Sequence, residues 1–268
     1  MKLLRRILVT NDDGVNAPGL QVAETIANEL AQEVWVVAPE HDQSGVGQGI
    51  SMHTPLRARS IGAQRYAVSG TPADCVMYAL GEWLADKPPE LVLSGVNHGA
   101  NIGDAVMYSG TVGAVLAAAH LRIPAVALSQ AYRQDEAIDY APAQALAGAL
   151  VRKLWRPTHT DCCWNINFPA LPVTAITDTR ITHQASDSIR WPRLKVGVDG
   201  RGLGYRWLAF DYATEHAEGS HCDLAALRAG HVSLMPLQTS RCDEGRARSL
   251  AGTTDHALDA QLATKESQ

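Results

Sequence analysis

The chain has 268 residues, 46% of them hydrophobic, with a formal net charge of −5 and a pI near 6.0. That is enough apolar material for one large domain, or a domain with an elaboration, and the lack of a basic surplus speaks against a nucleic-acid polymer as partner. No apolar run reaches the roughly 18 residues of a membrane span, and Met1–Arg6 passes directly into strand-like sequence without the long apolar region of a signal peptide, so a cytoplasmic location is expected.

In chain order, residues 3–9 read as a buried parallel strand, and Pro18-Gly19-Leu20 opens a helix with proline near its first turn. Leu20, Ala23, Ala27 and Leu30 recur at helical spacing. Residues 33–38 form a second strand, followed by a polar, glycine-rich loop over 40–54. Two short strands, 56–60 and 65–69, can pair across Ile61-Gly62-Ala63. A helix covers 72–84, a strand 91–93, and a second glycine-rich loop 95–110. An alanine-rich helix (111–120), a strand (124–128), a helix (143–155) and a strand (164–168) complete the alternation. It predicts an α/β fold: a Rossmann-like, doubly wound, three-layer core.

After Pro169 the texture changes. Residues 174–183, 191–197, 205–210 and 232–237 are strand-like, with one helix over 223–228. The expected organisation is a core at 1–170, a β-rich extension at 171–237 and a polar C-terminal tail at 238–268. The five cysteines (75, 162, 163, 222 and 242) contain no Cys-x-x-Cys pair and read as free thiols of a reducing compartment.

The chemistry concentrates in three loops that follow predicted parallel strands. The first carries Asn11-Asp12-Asp13-Gly14, the second Ser44-Gly45, and the third Asn97, His98 and Asn101, then Ser109-Gly110-Thr111. In a doubly wound sheet such loops converge on one crevice. Adjacent carboxylates repel unless a cation or solvent separates them. Carboxylate, hydroxyl and amide oxygens are hard donors suited to Mg²⁺, Mn²⁺ or Ca²⁺. Ser109-Gly110-Thr111 runs into a helix whose free N–H groups can hold a phosphate. Metal-assisted hydrolysis of a phosphate ester follows. Taken singly, Asp-Asp-Gly is also ordinary turn chemistry, Ser109 an ordinary N-cap, and His98 an exposed loop residue or a substrate contact.

These residues resemble the survival protein SurE family of nucleotidases. The resemblance is carried by residues 7–20, by Gly70-Thr71-Pro72-Ala73-Asp74-Cys75, by 94–104, by Tyr108-Ser109-Gly110-Thr111-Val112 and by 232–237. It implies a divalent-metal-dependent phosphomonoesterase that hydrolyses nucleoside 5′- and 3′-monophosphates. It also implies a homodimer or homotetramer joined through the β-rich extension, and one cation per subunit, Mg²⁺ or Mn²⁺. By motif match the metal ligands are Asp12, Asp13, Ser44 and Asn97. Asn11, Asn101, Ser109, Gly110 and Thr111 line the phosphate site, and Asp12, Asp13 and Asn101 carry the catalysis. The chain departs from the family's pattern at His41-Asp42-Gln43, at Gly47 and Gly49, at Ala117 and at Cys222-Asp223.

Two other enzyme classes fit less well. A haloacid-dehalogenase-like phosphatase needs an aspartate nucleophile where Asn11 stands, and a dinucleotide oxidoreductase needs Gly-x-Gly-x-x-Gly after the first strand. A catalytically weak or inert nucleotide- or metal-binding module remains the alternative from a different class.

Overall fold

Strand β1 (Leu4–Thr10) is buried along Ile7-Leu8-Val9 because helices cover both faces of its sheet, which is why it reads as an apolar run rather than an alternation. The structure is a computed structural model, and it describes residues 2–156, 163–186, 188–212, 221–240, 242–243 and 245–249. After β1 come α1 (Pro18–Leu30), β2 (Ala31–Pro39), β3 (Ala58–Gly62), β4 (Arg65–Val68), α2 (Pro72–Glu82), β5 (Leu91–His98), α3 (Gly110–His120), β6 (Ala125–Gln130), α4 (Ala141–Leu154) and β7 (Cys163–Phe168). Then follow β8 (Thr179–Ile181), β9 (Ile189–Val198), β10 (Gly204–Tyr212), α5 (Asp223–Arg228) and β11 (Val232–Leu237). Cys162 and residues 213–220 lie outside the described residues, as do 241, 244 and 250–268 of the segment read as a polar tail.

The main sheet runs in the order β3-β4-β2-β1-β5-β6-β7-β11-β8. Strands β4, β2, β1, β5, β6 and β7 are parallel. The chain moves outward from β1 through β2 to β4, then crosses back to β5 on the other side of β1. Order reverses between β1 and β5, so the crevice beyond the carboxyl ends of these two strands is the expected ligand site. Helices α1 and α4 pack on one face of the sheet with Leu20, Ile26, Ala147 and Val151, and α2 and α3 on the other with Val76, Ala79, Val115 and Ala118. This is the three-layer, doubly wound core that the alternation predicts.

Two differences from the sequence reading bear on the site. Strand β5 continues through His98, five residues past the predicted end, because Asn97 and His98 still pair with Ser129 and Gln130 of β6 across a bulge. Glycine is required inside that bulge: Gly95 has φ +127°, and a Cβ there would stand 2.2 Å from the Leu128 carbonyl oxygen. The sheet also continues past β7. Strand β11 adds antiparallel to β7, and β8 adds parallel to β11. Pro236 is tolerated in β11 because β8 pairs only with Val232–Leu234, leaving the missing N–H on an open edge.

Residues 1–237 form one compact unit. Within it β9 and β10 make a separate two-stranded ribbon that exposes Trp191 (71%), Val196 (71%) and Trp207 (68%). In the second unit, residues 238–268, Asp243 caps a helical turn by accepting the Arg246 N–H at 2.9 Å.

Candidate active site at the reversal of strand order

Asp12 and Asp13 leave the carboxyl end of β1 and Asn97 leaves that of β5, so the reversal itself places three of the four predicted metal ligands at one crevice. Asp12 is buried at 3% exposure and is gripped by the first turn of α3: the Thr111 hydroxyl donates to its Oδ1 at 2.5 Å. Burial is the largest influence and raises the Asp12 pKa; hydrogen bonds from the Thr111 side chain and backbone oppose it. Asp13 is pushed up to about 6, first by burial and second by the charge of Asp12, while the His98 N–H donates to its Oδ2 at 3.1 Å. Gly110 packs directly on Asp12, and a Cβ there would lie 2.8 Å from the Asp12 Cβ.

Asn97 turns its amide N–H to the Gly99 carbonyl at 2.9 Å, which leaves its side-chain oxygen for a ligand. Asn11 donates to the Gly14 carbonyl at 2.9 Å and thereby holds the turn; its own Oδ1 is buried without a hydrogen-bond partner. An acceptor in that state suits a cation or its water rather than a phosphate oxygen.

The second loop reaches the site through its backbone. The Gln43 N–H donates to the Asp12 carbonyl at 2.8 Å. Ser44 itself is exposed, and both its hydroxyl (2.7 Å) and its N–H (2.8 Å) are turned to Asp42 Oδ1. The loop is locked down elsewhere. The Gly47 N–H donates to the Tyr108 carbonyl, and bare Gly113 lets the Gly47 carbonyl approach to where a Cβ would stand 2.2 Å away. Asp74 accepts from the Ser51 N–H at 2.9 Å and the Ser51 hydroxyl at 2.7 Å, while Thr71 donates to the Gly49 carbonyl at 2.7 Å. The same Thr71 and Asp74 form the capping box of α2. Gly70–Cys75 is therefore a clamp on the second loop.

Asn101 is fixed by a buried amide network. Its N–H donates to Asn167 Oδ1 (2.8 Å), its carbonyl accepts from Asn165 (2.7 Å) and Asn167 (3.1 Å), and its side-chain nitrogen donates to Ser129 Oγ (2.9 Å). One amide hydrogen is left for a ligand. Ser109 is the N-cap of α3 and accepts from Val112 at 3.1 Å, so its hydroxyl proton is free to donate.

Two contributors gave little sign in the sequence. Asp42 adds a third negative charge that raises both Asp12 and Asp13. Tyr140, before α4, is pushed up to about 12 by burial and by the charge of Asp13. Neither stands within a strand-end motif. At the other departures, Ala117 is buried in α3, and Cys222 serves as the N-cap of α5. Asp223 beside it holds the Gly103 N–H at 2.9 Å.

The donor set fits a hard divalent cation: a buried and a half-buried carboxylate side by side, an amide oxygen turned free, and an orphaned acceptor beside them. Among the described residues no group of three or more His, Cys, Asp or Glu side chains is placed to hold a metal ion, so the donor set rests on two carboxylates completed by amide oxygens.

The chain is similar to known proteins over most of its length. The family described as Survival protein SurE matches residues 7–191. The chain is 40% identical over 251 residues to the 5′-nucleotidase SurE 1 of Burkholderia lata, covering 92% of this chain and 95% of that one. It is 45% identical over 235 residues to the 5′-nucleotidase SurE of Erythrobacter litoralis, covering 87% and 93%. The crystal structure of the SurE protein from Aquifex aeolicus superposes with a TM-score of 0.77 at 32% identity, covering 91% of this chain and 98% of that one.

Proposed function

This chain belongs to the survival protein SurE family, and we propose on that premise that it is a divalent-cation-dependent phosphomonoesterase. Its substrates are nucleoside 5′-monophosphates, and 3′-monophosphates as well, cleaved to nucleoside and phosphate. The observation that carries this reading is the meeting of Asp12, Asp13 and Asn97 across the reversal of strand order, beside the first turn of α3. The relatives named 5′-nucleotidase support the substrate class.

Asp12, Asp13 and the Asn97 side-chain oxygen would hold the cation, with Ser44 joining once its hydroxyl leaves Asp42. When bound, such a cation, Mg²⁺ or Mn²⁺, supplies Lewis acidity toward a phosphoryl oxygen and makes water a better nucleophile at neutral pH. The protein's own part is orientation. Thr111 spends its hydroxyl on Asp12 and so fixes that carboxylate rather than the phosphate. The phosphoryl oxygens are left to the Asn101 amide hydrogen, the Ser109 hydroxyl and the Gly110 N–H at the positive end of α3. Asn11 acts on the turn that presents the two aspartates. Because Asn11 occupies the position that would need a carboxylate nucleophile, attack falls to water and no phospho-aspartate forms.

A nucleotide panel assayed with EDTA, Mg²⁺, Mn²⁺ and Zn²⁺ tests this. Release of inorganic phosphate from nucleoside monophosphates, abolished by EDTA and restored by Mg²⁺ or Mn²⁺, is the expected result. Nucleotide binding with no turnover under any metal makes the chain an inert binding module instead.

The β9–β10 ribbon is proposed as the element that joins subunits into a homodimer or homotetramer, because a monomer would leave its tryptophans, leucines and valines in water. Light scattering should give a multiple of the 28.8 kDa chain mass. Trp191→Ser with Trp207→Ser should weaken assembly by about 100-fold or more, as expected for losing two buried aromatic anchors. A wild-type mass of one chain rules the assembly out. No described helix is long and apolar enough to cross a membrane; a cytoplasmic site of action is part of the proposal.

A further inference from the structure

His98 and Tyr132 stack face to face beside the cation site, with ring centroids 4.7 Å apart and planes 13° apart. Neither ring belongs to either hydrophobic core. Tyr132 keeps 47% of its surface exposed, and its ring edge lies over Gly99, where a Cβ would stand 3.5 Å from the Tyr132 Cε1. The position of the pair is fixed by the site itself. His98 follows the ligand Asn97 and gives its N–H to Asp13, while Tyr132 stands two residues past the end of the adjacent β6. Beyond Tyr132 opens a cavity of about 220 Å³, bordered by Arg133, Glu136 and Leu171. That is below the roughly 300–1,000 Å³ of pockets that enclose a whole drug-sized ligand, and suits a single heterocycle. It offers a flat aromatic wall, an apolar border and both a donor and an acceptor for a base edge.

We propose that the His98–Tyr132 platform and the cavity beside it form the subsite for the purine or pyrimidine base of the substrate. The proposal rests on the nucleotidase reading above. A nucleotide held by its phosphate between Asp13, Asn97 and the start of α3 carries its base one sugar away, on the side where His98 leads from the strand end. Stacking tolerates any base because every base has a π-face. Arg133 and Glu136 then favour bases with matching edges. Tyr132 is a specificity-determining residue and touches no reacting atom.

The test compares kcat/KM for AMP with kcat/KM for ribose 5-phosphate, which has the phosphate and sugar but no base, under the metal that supports wild-type turnover. Tyr132→Ala should lower the AMP to ribose 5-phosphate ratio about tenfold, through KM, His98→Ala should lower it in the same direction, and Tyr132→Phe should restore it. Wild-type AMP hydrolysis with the ratio unchanged in both alanine variants overturns the subsite and leaves the nucleotidase reading standing. A wild-type chain that hydrolyses ribose 5-phosphate but no nucleotide defeats the nucleotidase reading itself.

Discussion

Asp12→Asn and Asp13→Asn are expected to lower kcat/KM for nucleoside monophosphates by at least about 100-fold, the range seen when one preorganised electrostatic contact to a transition state is removed. The two substitutions should not destabilise the metal-free chain. Both carboxyl groups have raised pKa values, chiefly from burial, so each is held against a penalty on its charge that a neutral amide escapes. For Asp13 the sign is definite. Its folded pKa of about 6 lies above the reference 3.8, so the native chain binds this proton more tightly than the unfolded chain does. Stability from that proton is complete below about pH 4 and lost as pH rises through about 6. Metal-free wild type should therefore melt at lower temperature at pH 7.5 than at pH 5, and Asp13→Asn should flatten that slope. Adding Mn²⁺ or Mg²⁺ at pH 7.5 should raise the wild-type Tm, because a ligand bound only to the native state stabilises it by about 2.7 kcal/mol at 100 times Kd. Neither variant should show the full rise. Retained turnover together with a wild-type metal response in both variants would falsify the assignment of the pair.

Asp74→Ala is expected to cost about 2–4 kcal/mol of stability and to weaken activity as well. The carboxylate is 3% exposed and accepts from the Ser51 N–H, the Ser51 hydroxyl and the Thr71 N–H. Hydrogen bonds to a charged group contribute about 1.5–3 kcal/mol each, and a lost helix cap about 1 kcal/mol; Ser51, being half-buried, recovers part through water. At roughly 2–4 °C per kcal/mol for a chain of this size, the Tm should fall by about 5–15 °C. Functionally the loss should appear first as a higher metal concentration for half-maximal activity. The loop that Asp74 pins is the one whose Gln43 N–H rests on Asp12 and which carries Ser44. An Asp74→Ala enzyme with lowered Tm but an unchanged metal midpoint, measured well below its Tm, would limit Asp74 to a structural cap.

Much of this molecule is legible in the sequence because its physics is local. The apolar run at Ile7-Leu8-Val9, Pro18 at the first turn of α1, and Thr71 with Asp74 three residues later each announce their element from a few neighbouring residues. The helix at Asp223–Arg228 falls where the pattern puts it. The ends of β5 and β6 are less legible, since residues 94–98 look like a glycine-rich loop until β6 supplies partners for Asn97 and His98. The ribbon's apolar residues were readable as strands, but not as a surface left open.

At the site, the sequence determined which chemistry was present: paired carboxylates, amides and a helix start, on loops that must converge if the sheet is doubly wound. Only the tertiary structure decided how those groups are divided. It turned Thr111 to Asp12, Asn11 to its own turn and Ser44 to Asp42, and it left Asn97 and Asn101 with atoms to spare. It also brought Asp42 and Tyr140 to the carboxylates and set His98 against Tyr132. The reason is that residue type fixes what a side chain can donate or accept, whereas which partner it meets depends on strand order and register, and those are settled by burial across the whole sheet.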